Sequence, residues 1–451
     1  MMHGARKIAV VGAGPSGLYA TAELLRRDGG VNVALFDRLP VIGGLARFGV
    51  SPDHAQRRRM IAVYDRLAVA SGRFDFHGHV DIGGALTHDM LRRHHDAVIY
   101  AAGASSDRQL GIAGETLPGS HAATEFVGWY NAHPDHAHRQ YRFDHERAVV
   151  VGNGNVALDI ARMLLLDPRT LRKTDIADHA LQALAGSRIR EVVVLGRRGP
   201  AQAAFTAPEL LELCEQDEFD VIVEGVEAPP AAMHGDALRL QLLDELRRRP
   251  ARHEKRLRLR FQASPTEILG DGAVNAVRIG DNELVLRDGV VVAQATTRSE
   301  IIEAGLVLRS IGYRGVPMPG LPFDAAAGVI PNRDGRVIGD DAAPLAGVYV
   351  TGWLKRGPRG VIGTNKQCAN QTVRAVLDDL HGGALPVCAA DPDDFALLLQ
   401  RHAPERVDHA GWRRIDDHER QLGAAAGRPR IKLAGMNALL AAAAAPAVRA
   451  A

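Results

Sequence analysis

The stretch Lys7-Ile8-Ala9-Val10-Val11-Gly12-Ala13-Gly14-Pro15-Ser16-Gly17-Leu18 decides the fold. Lys7–Val11 is short and largely apolar, the pattern of a buried strand. Gly12–Gly17 reads as a turn, Leu18–Arg27 as a helix, and Val31–Phe36 as a second strand that ends at Asp37. In such a unit each glycine has its own task. Gly12 permits the tight turn, Gly14 lets backbone approach a pyrophosphate, and Gly17 lets helix pack on strand. Pro15 and Ser16 complete the loop, and the helix start offers unpaired N–H groups and a positive dipole end to a diphosphate. Asp37 can accept hydrogen bonds from ribose hydroxyls. A lone glycine fingerprint also occurs in structural turns; here strand, turn, helix, strand and acid come in order.

The pattern restarts downstream. Ala148–Val151 reads as a strand, Gly152–Gly154 as a turn and Val156–Leu166 as a helix, so that Gly152-Asn153-Gly154-Asn155-Val156-Ala157 is a second fingerprint. Its second strand, Glu191–Leu195, runs into Gly196-Arg197-Arg198 instead of an acid. An acid would repel a 2′-phosphate, whereas paired guanidiniums bind one bidentately, which argues for NADP over NAD. The plain alternative is a solvated arginine pair at a strand end. Further strands are expected at Val98–Tyr100, around Leu306–Gly312 and at Val348–Thr351, with a late helix from about Asn365. Continuous apolar strands alternating with helices imply parallel sheets covered on both faces. The expected fold class is α/β, two Rossmann-like dinucleotide-binding domains with one inserted in the other. Crossings near Arg108 and Pro317 give residues 1–107 and 318–451 to the first domain and 108–317 to the second. One acid-tagged and one arginine-tagged fingerprint suggest FAD in the former and NADPH in the latter, a pairing that suits hydride entry and single-electron exit.

A chain of 451 residues has room for such domains, and 46% hydrophobic with 24% charged residues excludes a mostly disordered chain. A formal net charge of +2 gives no global basic field, so nucleic acid is not an expected partner. Arginine clusters locally, at Arg247, Arg248, Arg249, Arg252, Lys255, Arg256, Arg258 and Arg260, diluted by Asp244, Glu245 and Glu254. Either this run steers an acidic protein partner or it is a solvated surface; the whole region Pro229–Arg260 is expected to be exposed. Cys214, Cys368 and Cys388 lie far apart with no CxxC, which excludes a zinc knuckle, a ligated iron–sulfur cluster and a thioredoxin-like pair. A reduced, cytoplasmic setting follows. No run is long enough to span a membrane, no signal peptide is expected, and the apolar Ala438–Ala445 reads as a frayed helix.

Longer motifs then occur in order: Gly12–Gly17; Gly43-Gly44-Leu45-Ala46-Arg47-Phe48-Gly49-Val50-Ser51-Pro52-Asp53-His54; Gly152–Asp159; Arg197-Arg198-Gly199-Pro200 through Phe205-Thr206; Gly352-Trp353-Leu354-Lys355-Arg356-Gly357-Pro358 through Thr364-Asn365-Lys366; and the tail Gly427–Lys432. Together they resemble the adrenodoxin reductase-type ferredoxin–NADP reductases, bacterial members included, over nearly the whole chain. The resemblance implies an FAD domain interrupted by an NADP domain, hydride passing from NADPH to FAD, and single electrons passing to a ferredoxin, with a cytochrome P450 as one acceptor expected downstream. It implies that Gly12–Gly17 and Asp37 hold the adenosine diphosphate of FAD, with Gly44 and Leu45 along the flavin. Gly152–Val156 would hold the NADP pyrophosphate and Arg197 with Arg198 its 2′-phosphate. Trp353 and Gly360, Val361 and Ile362 would lie against the isoalloxazine, and His54 and Glu209 near its edge. A monomer is expected. Family members commonly carry an acid where Cys368 stands, and Gln371 is a second variable point, so local hydrogen bonding there is expected to differ.

The residues themselves leave alternatives open. Gly357, Gly360 and Gly363 before a helix suit close backbone approach to a flat ring, or a mobile loop. Trp353 can stack on a flavin or fill core. His54 can relay a proton or be structural. Glu209 lies three residues after Thr206, the spacing of a capping box, so a purely structural role competes. Asp159 reads as a helix-facing hydrogen-bonder. The rival functions are an NADPH-dependent flavoprotein acting on a small molecule, a quinone or oxygen, and a non-catalytic nucleotide sensor. A disulfide reductase and a glutamate synthase-type subunit are disfavoured by the missing cysteines. No flavin monooxygenase signature follows the second fingerprint.

Overall fold

Strands form where apolar residues run without interruption. The computed structural model describes residues 5–225, 235–360, 362–388 and 391–446. They divide into two compact units, one of Met1–Val50, His54–Ser106 and Tyr313–Ala451, the other of Ser51–Asp53 and Asp107–Gly312. The expected crossings near Arg108 and Pro317 stand beside observed changes at 106/107 and 312/313.

The first unit is built on a seven-stranded sheet, ordered Asn332–Arg333, Arg336–Ile338, Pro344–Val350, Ala97–Tyr100, Arg6–Val11, Val31–Phe36, Phe74–His77. The last five of these are parallel. Ile8, Ala9 and Val10 have no exposed surface, as a strand covered on both faces requires. In register, Val11 stands beside Phe36 on one side and Tyr100 on the other, and Tyr100 beside Val350. The carboxyl ends therefore align, and the turns that follow them share one edge. The helix Pro15–Arg27 starts with proline in its first turn and buries Leu18, Leu24 and Leu25. Each such leucine contributes roughly 1.5–3 kcal/mol of burial.

The second unit has a six-stranded parallel sheet, ordered Ser120–Ala122, Leu306–Arg309, Arg147–Val151, Glu191–Gly196, Arg256–Phe261, Asp220–Glu224. Beside it runs a three-stranded antiparallel sheet of Ala263–Leu269, Ala276–Arg287 and Val290–Glu303. The hairpin between the last two turns on Asp288 and Gly289, both with positive φ, the signature of a type I′ turn.

Two expectations are corrected. The segment Pro229–Arg260 is not simply exposed. Residues 226–234 fall outside the described residues, but Ala237–Arg248 is a helix burying Leu242, Leu243 and Leu246, and Arg256–Phe261 is an interior strand. The apolar run near the C-terminus is a docked helix, Met436–Ala444, not a frayed one. Leu439 and Ala443 are buried in the first core, and Arg414 donates to the Ala443 carbonyl at 2.6 Å. No described helix is long and apolar enough to cross a membrane.

An aromatic cluster holds the helix Pro392–His402 on the first unit. His77 stacks on Phe36 at 4.9 Å between centroids, and His95 meets Phe395 edge-on at 4.9 Å. Burial holds both histidines down at about 4. An unfolded chain would take up these protons near pH 6.5. The contribution is thus complete above about pH 6.5 and is lost as pH falls toward about 4, at up to roughly 1.4 kcal/mol per pH unit for each histidine. Urea unfolding is expected to show this slope, and His95→Phe to flatten it; an unchanged slope would refute the assignment.

Candidate functional site

In the first unit the turns after Val11, Phe36, Tyr100 and Val350 share the carboxyl edge of the sheet, the edge at which open parallel α/β sheets bind ligands. Gly12 has φ +107 and its amide donates to the Phe36 carbonyl at 2.7 Å; a Cβ there would lie 2.6 Å from the Ala101 oxygen. At Gly17 a Cβ would lie 1.9 Å from the Gly12 oxygen. Packing alone therefore demands both. Gly14 is different. Its φ is −76, and the nearest atom to an added Cβ is the Gly44 Cα at 3.8 Å. Nothing among the described residues requires glycine at this position, which leaves a cradle that a side chain would fill from outside. The helix that follows has no acid in its first turn and no side chain capping its start. Those free amides suit a diphosphate.

Asp37 organises this loop. Its oxygens accept from the Ala13 amide at 2.7 Å and the Leu39 amide at 2.9 Å. An ionised carboxylate keeps further lone pairs for a ribose. Gly44 packs directly against Gly14, and Leu45 opens the helical turn Leu45–Phe48. Ser16 is buried, its hydroxyl filling the space a Cβ on Gly352 would take. That contact seats the late strand's turn on the first helix.

Trp353 opens a short helical turn after Gly352, φ +71, and lies 5.1 Å from Tyr313. Its indole nitrogen is buried without a hydrogen-bond partner among the described residues. An acceptor on a bound ring would satisfy it, so the residues present fit a flavin. Gly360 has φ +84 and abuts Thr364, while Gly357 and Gly363 have open space where a Cβ would go. Val361 lies outside the described residues. Ile362 begins the helix Ile362–His381, which carries no acid in its first turn. Where the resemblance expects an acid, the Cys368 sulfur accepts from the Gly352 amide at 3.3 Å and the Thr351 hydroxyl at 3.7 Å. Lys355 donates to Gln371 at 2.8 Å, and burial lowers its ammonium below the ordinary lysine value.

The second unit repeats the arrangement. Gly152 has φ +110, donates to the Leu195 carbonyl at 2.9 Å, and would place a Cβ 2.2 Å from the Ser310 oxygen. Gly154 precedes the helix Asn155–Leu165 and has no atom within 4 Å of an added Cβ. Val156 is half-buried in its first turn. The Asn153 side chain covers Gly196. Arg197 is exposed and Arg198 half-buried, and neither guanidinium has a partner among the described residues. Their carbonyls accept from Asn282 at 3.0 Å and from the Gln262 amide at 3.1 Å, so the loop is held without using its charges. Asn282 sits at the hairpin's register shift and gave no signal in the sequence.

The capping-box expectation for Glu209 is not met. Thr206 stands at the N-cap position, but its side chain caps nothing, and its amide donates to Asn155 Oδ1 at 2.8 Å instead. Glu209 is 2% exposed and stands 3.9 Å from Arg162. Arg162, itself 1% exposed, binds Asp159 at 2.6 Å and Asp53 at 2.9 Å, with Glu212 at 3.8 Å. Burial lowers the Arg162 pKa, yet Asp159 and Asp53 outweigh it and hold it above its ordinary value. Sequence reading missed Arg162, although the Asp159–Arg162 spacing on a helix face could have suggested it. His54 groups with the first unit, half-buried, where its carbonyl caps the 3₁₀ turn Ala55–Arg58.

The arginine run is split. Arg258 pairs with Glu191 at 3.2 Å and Arg260 with Asp281 at 2.7 Å, while Lys255 donates to the Leu165 carbonyl at 2.7 Å. Arg248 pairs with Asp244, and Arg249 binds the Cys214 carbonyl. Arg247, Arg248, Arg249, Arg252 and Arg256 remain exposed.

Residues 10–60 match the NAD(P)-binding Rossmann-like domain family. The chain is 45% identical over 454 residues to NADPH-ferredoxin reductase FprA of Mycobacterium leprae, covering 97% of this chain and 98% of that one. It is 38% identical over 460 residues to the mitochondrial NADPH:adrenodoxin oxidoreductase of Arabidopsis thaliana, covering 97% and 95%. Among solved structures it superposes on Mycobacterium tuberculosis FprA in complex with NADPH with a TM-score of 0.90 at 44% identity, covering 97% of this chain and 99% of that one.

Proposed function

Because the chain belongs to the adrenodoxin reductase-type ferredoxin–NADP reductases, we propose specific roles for its residues in that activity. The enzyme is an FAD-dependent ferredoxin–NADP reductase; its flavin, when bound, accepts a hydride from NADPH and releases electrons singly to a ferredoxin. The first unit is the FAD-binding domain and the second the NADP-binding domain. The observation that carries this reading is the pair of glycine turns with unexplained open positions at Gly14 and Gly154, the second followed by two uncommitted guanidiniums.

The loop Gly12–Gly17, ordered by Asp37, binds the FAD diphosphate at a helix N-terminus. Gly44 and Leu45 line the flavin, and Trp353 offers its indole N–H with Gly360–Ile362 beside it. Gly152–Val156 bind the NADP diphosphate, and Arg197 with Arg198 clamp the 2′-phosphate. Hydride transfer needs no obligatory acid, so orientation supplies most of the rate. His54 and Glu209 act at the flavin edge, where an imidazole and a buried carboxyl group shape the local electrostatics. Asp53 and Asp159 hold Arg162, whose guanidinium faces Glu209 at 3.9 Å. A monomer in the cytoplasm, with a cytochrome P450 as one downstream acceptor, completes the reading.

The test is a visible spectrum of the purified protein followed by titration with NADPH and NADH. A colourless protein that flavin cannot reconstitute would overturn the proposal. Ferredoxin dependence is tested separately at the exposed arginines. Neutralising Arg247, Arg248 and Arg252 is expected to slow ferredoxin-dependent cytochrome c reduction several-fold at low salt, and to leave NADPH-to-ferricyanide turnover intact. Loss of both activities together would assign those residues to the fold. Cytochrome c reduction at full rate without ferredoxin would favour the small-molecule reductase instead.

A further inference from the structure

The segment read as lining the flavin is short. Leu45–Phe48 makes one helical turn of four residues, too few to be stable by itself. One end is fastened to the first glycine turn, where the Gly43 amide donates to the Ala13 carbonyl at 2.9 Å. The other end is fastened through Arg47. This guanidinium is 3% exposed and donates at 2.6 Å to Glu419, which is fully buried in the helix His409–Ala425. It also lies 5.7 Å from the Trp412 ring and 5.2 Å from that of Phe48.

Glu419 is itself held from two directions. Arg430 binds its second oxygen at 3.0 Å, and the Leu433 amide donates to its first at 2.9 Å. Arg430 also reaches Asp416 at 2.8 Å, and Asp416 holds Arg420 at 2.9 Å. The motif tail Gly427–Lys432 is therefore linked through Glu419 to Arg47, three positions from Gly44.

Stability is a poor explanation for this arrangement, because a buried ion pair can often be replaced by apolar groups without loss. A forked guanidinium held between a carboxylate and an aromatic face does supply one fixed orientation. We propose that Arg47 is a positioning residue for the flavin, coupling the C-terminal helix and tail to the Gly43–Phe48 turn. The proposal rests on the reading that Gly44 and Leu45 line the flavin.

The test uses full-length holoprotein. Flavin release is followed by the rise in FAD fluorescence on dilution, and the flavin absorbance envelope is recorded alongside far-UV circular dichroism. The pair Arg47→Met with Glu419→Gln removes both charges and leaves Arg430 on Asp416. It is expected to release FAD about tenfold faster or more and to shift the flavin absorbance, with circular dichroism and NADP binding unchanged. Wild-type release and absorbance in the folded pair would overturn the proposal and leave Arg47 a structural residue. Arg47→Lys keeps the charge and loses the fork. It is expected to release flavin at an intermediate rate, and decides the matter if the pair does not fold; a wild-type rate in Arg47→Lys then overturns the proposal. A wild-type protein that binds no FAD would sink the underlying functional reading instead.

Discussion

Arg197→Ala with Arg198→Ala is expected to raise the Kd for NADPH by about a hundredfold while leaving that for NADH nearly unchanged. Each charge-assisted bond to a phosphate contributes roughly 1.5–3 kcal/mol, and about 1.4 kcal/mol is tenfold. The structure makes the effect selective. Neither guanidinium is engaged elsewhere among the described residues, and the loop is held by backbone carbonyls that alanine retains. Arg258 and Arg260 provide the contrast, since each is already committed to an acid beside the sheet, Glu191 and Asp281. The measurement is a pair of flavin-bleaching titrations, one per nucleotide. An unchanged ratio of affinities in the double variant refutes the 2′-phosphate assignment.

Gly14→Ala and Gly17→Ala are expected to fail in different ways. A methyl on Gly17 would sit 1.9 Å from the Gly12 oxygen, so helix and strand must part. That variant is expected to lose the folded first unit, seen as aggregation or an early thermal transition. A methyl on Gly14 meets nothing closer than 3.8 Å, and the backbone there suits any residue. This variant is expected to fold with normal circular dichroism, yet to purify colourless, with FAD affinity reduced about tenfold or more, because the methyl occupies the diphosphate's place. A yellow Gly14→Ala protein with wild-type affinity would remove the diphosphate from this loop.

Much of this architecture was legible because glycine turns between apolar strands are local signals. Arg6–Val11, Val31–Phe36 and Glu191–Gly196 lie within a residue of where the sequence placed them. What escaped depended on distant partners. The Thr206–Glu209 spacing is that of a capping box, but Asn155, 51 residues earlier, takes the Thr206 amide, and the Glu209 carboxyl stands 3.9 Å from Arg162. The arginine run looked like one charged face. Yet Arg256 to Phe261 alternates charged and apolar residues, the period of a strand, and its acids come from Glu191 and Asp281. The long hairpin was also readable, since Asp288-Gly289 is a strong turn signal.

The position of Pro344–Val350 in the first sheet has a consequence for biosynthesis. That strand pairs with Ala97–Tyr100, yet it leaves the ribosome some 250 residues later. Until then Ala97–Tyr100 is a bare parallel edge, while almost all of the inserted unit, Asp107–Gly312, has already emerged as one continuous stretch with its own sheet and core. Nascent chains should therefore mature from the middle outward, with the amino-terminal segment waiting open-sided for its last strand. Loading of the yellow cofactor becomes a late, post-translational event, and the waiting edge is where chaperones have most to protect.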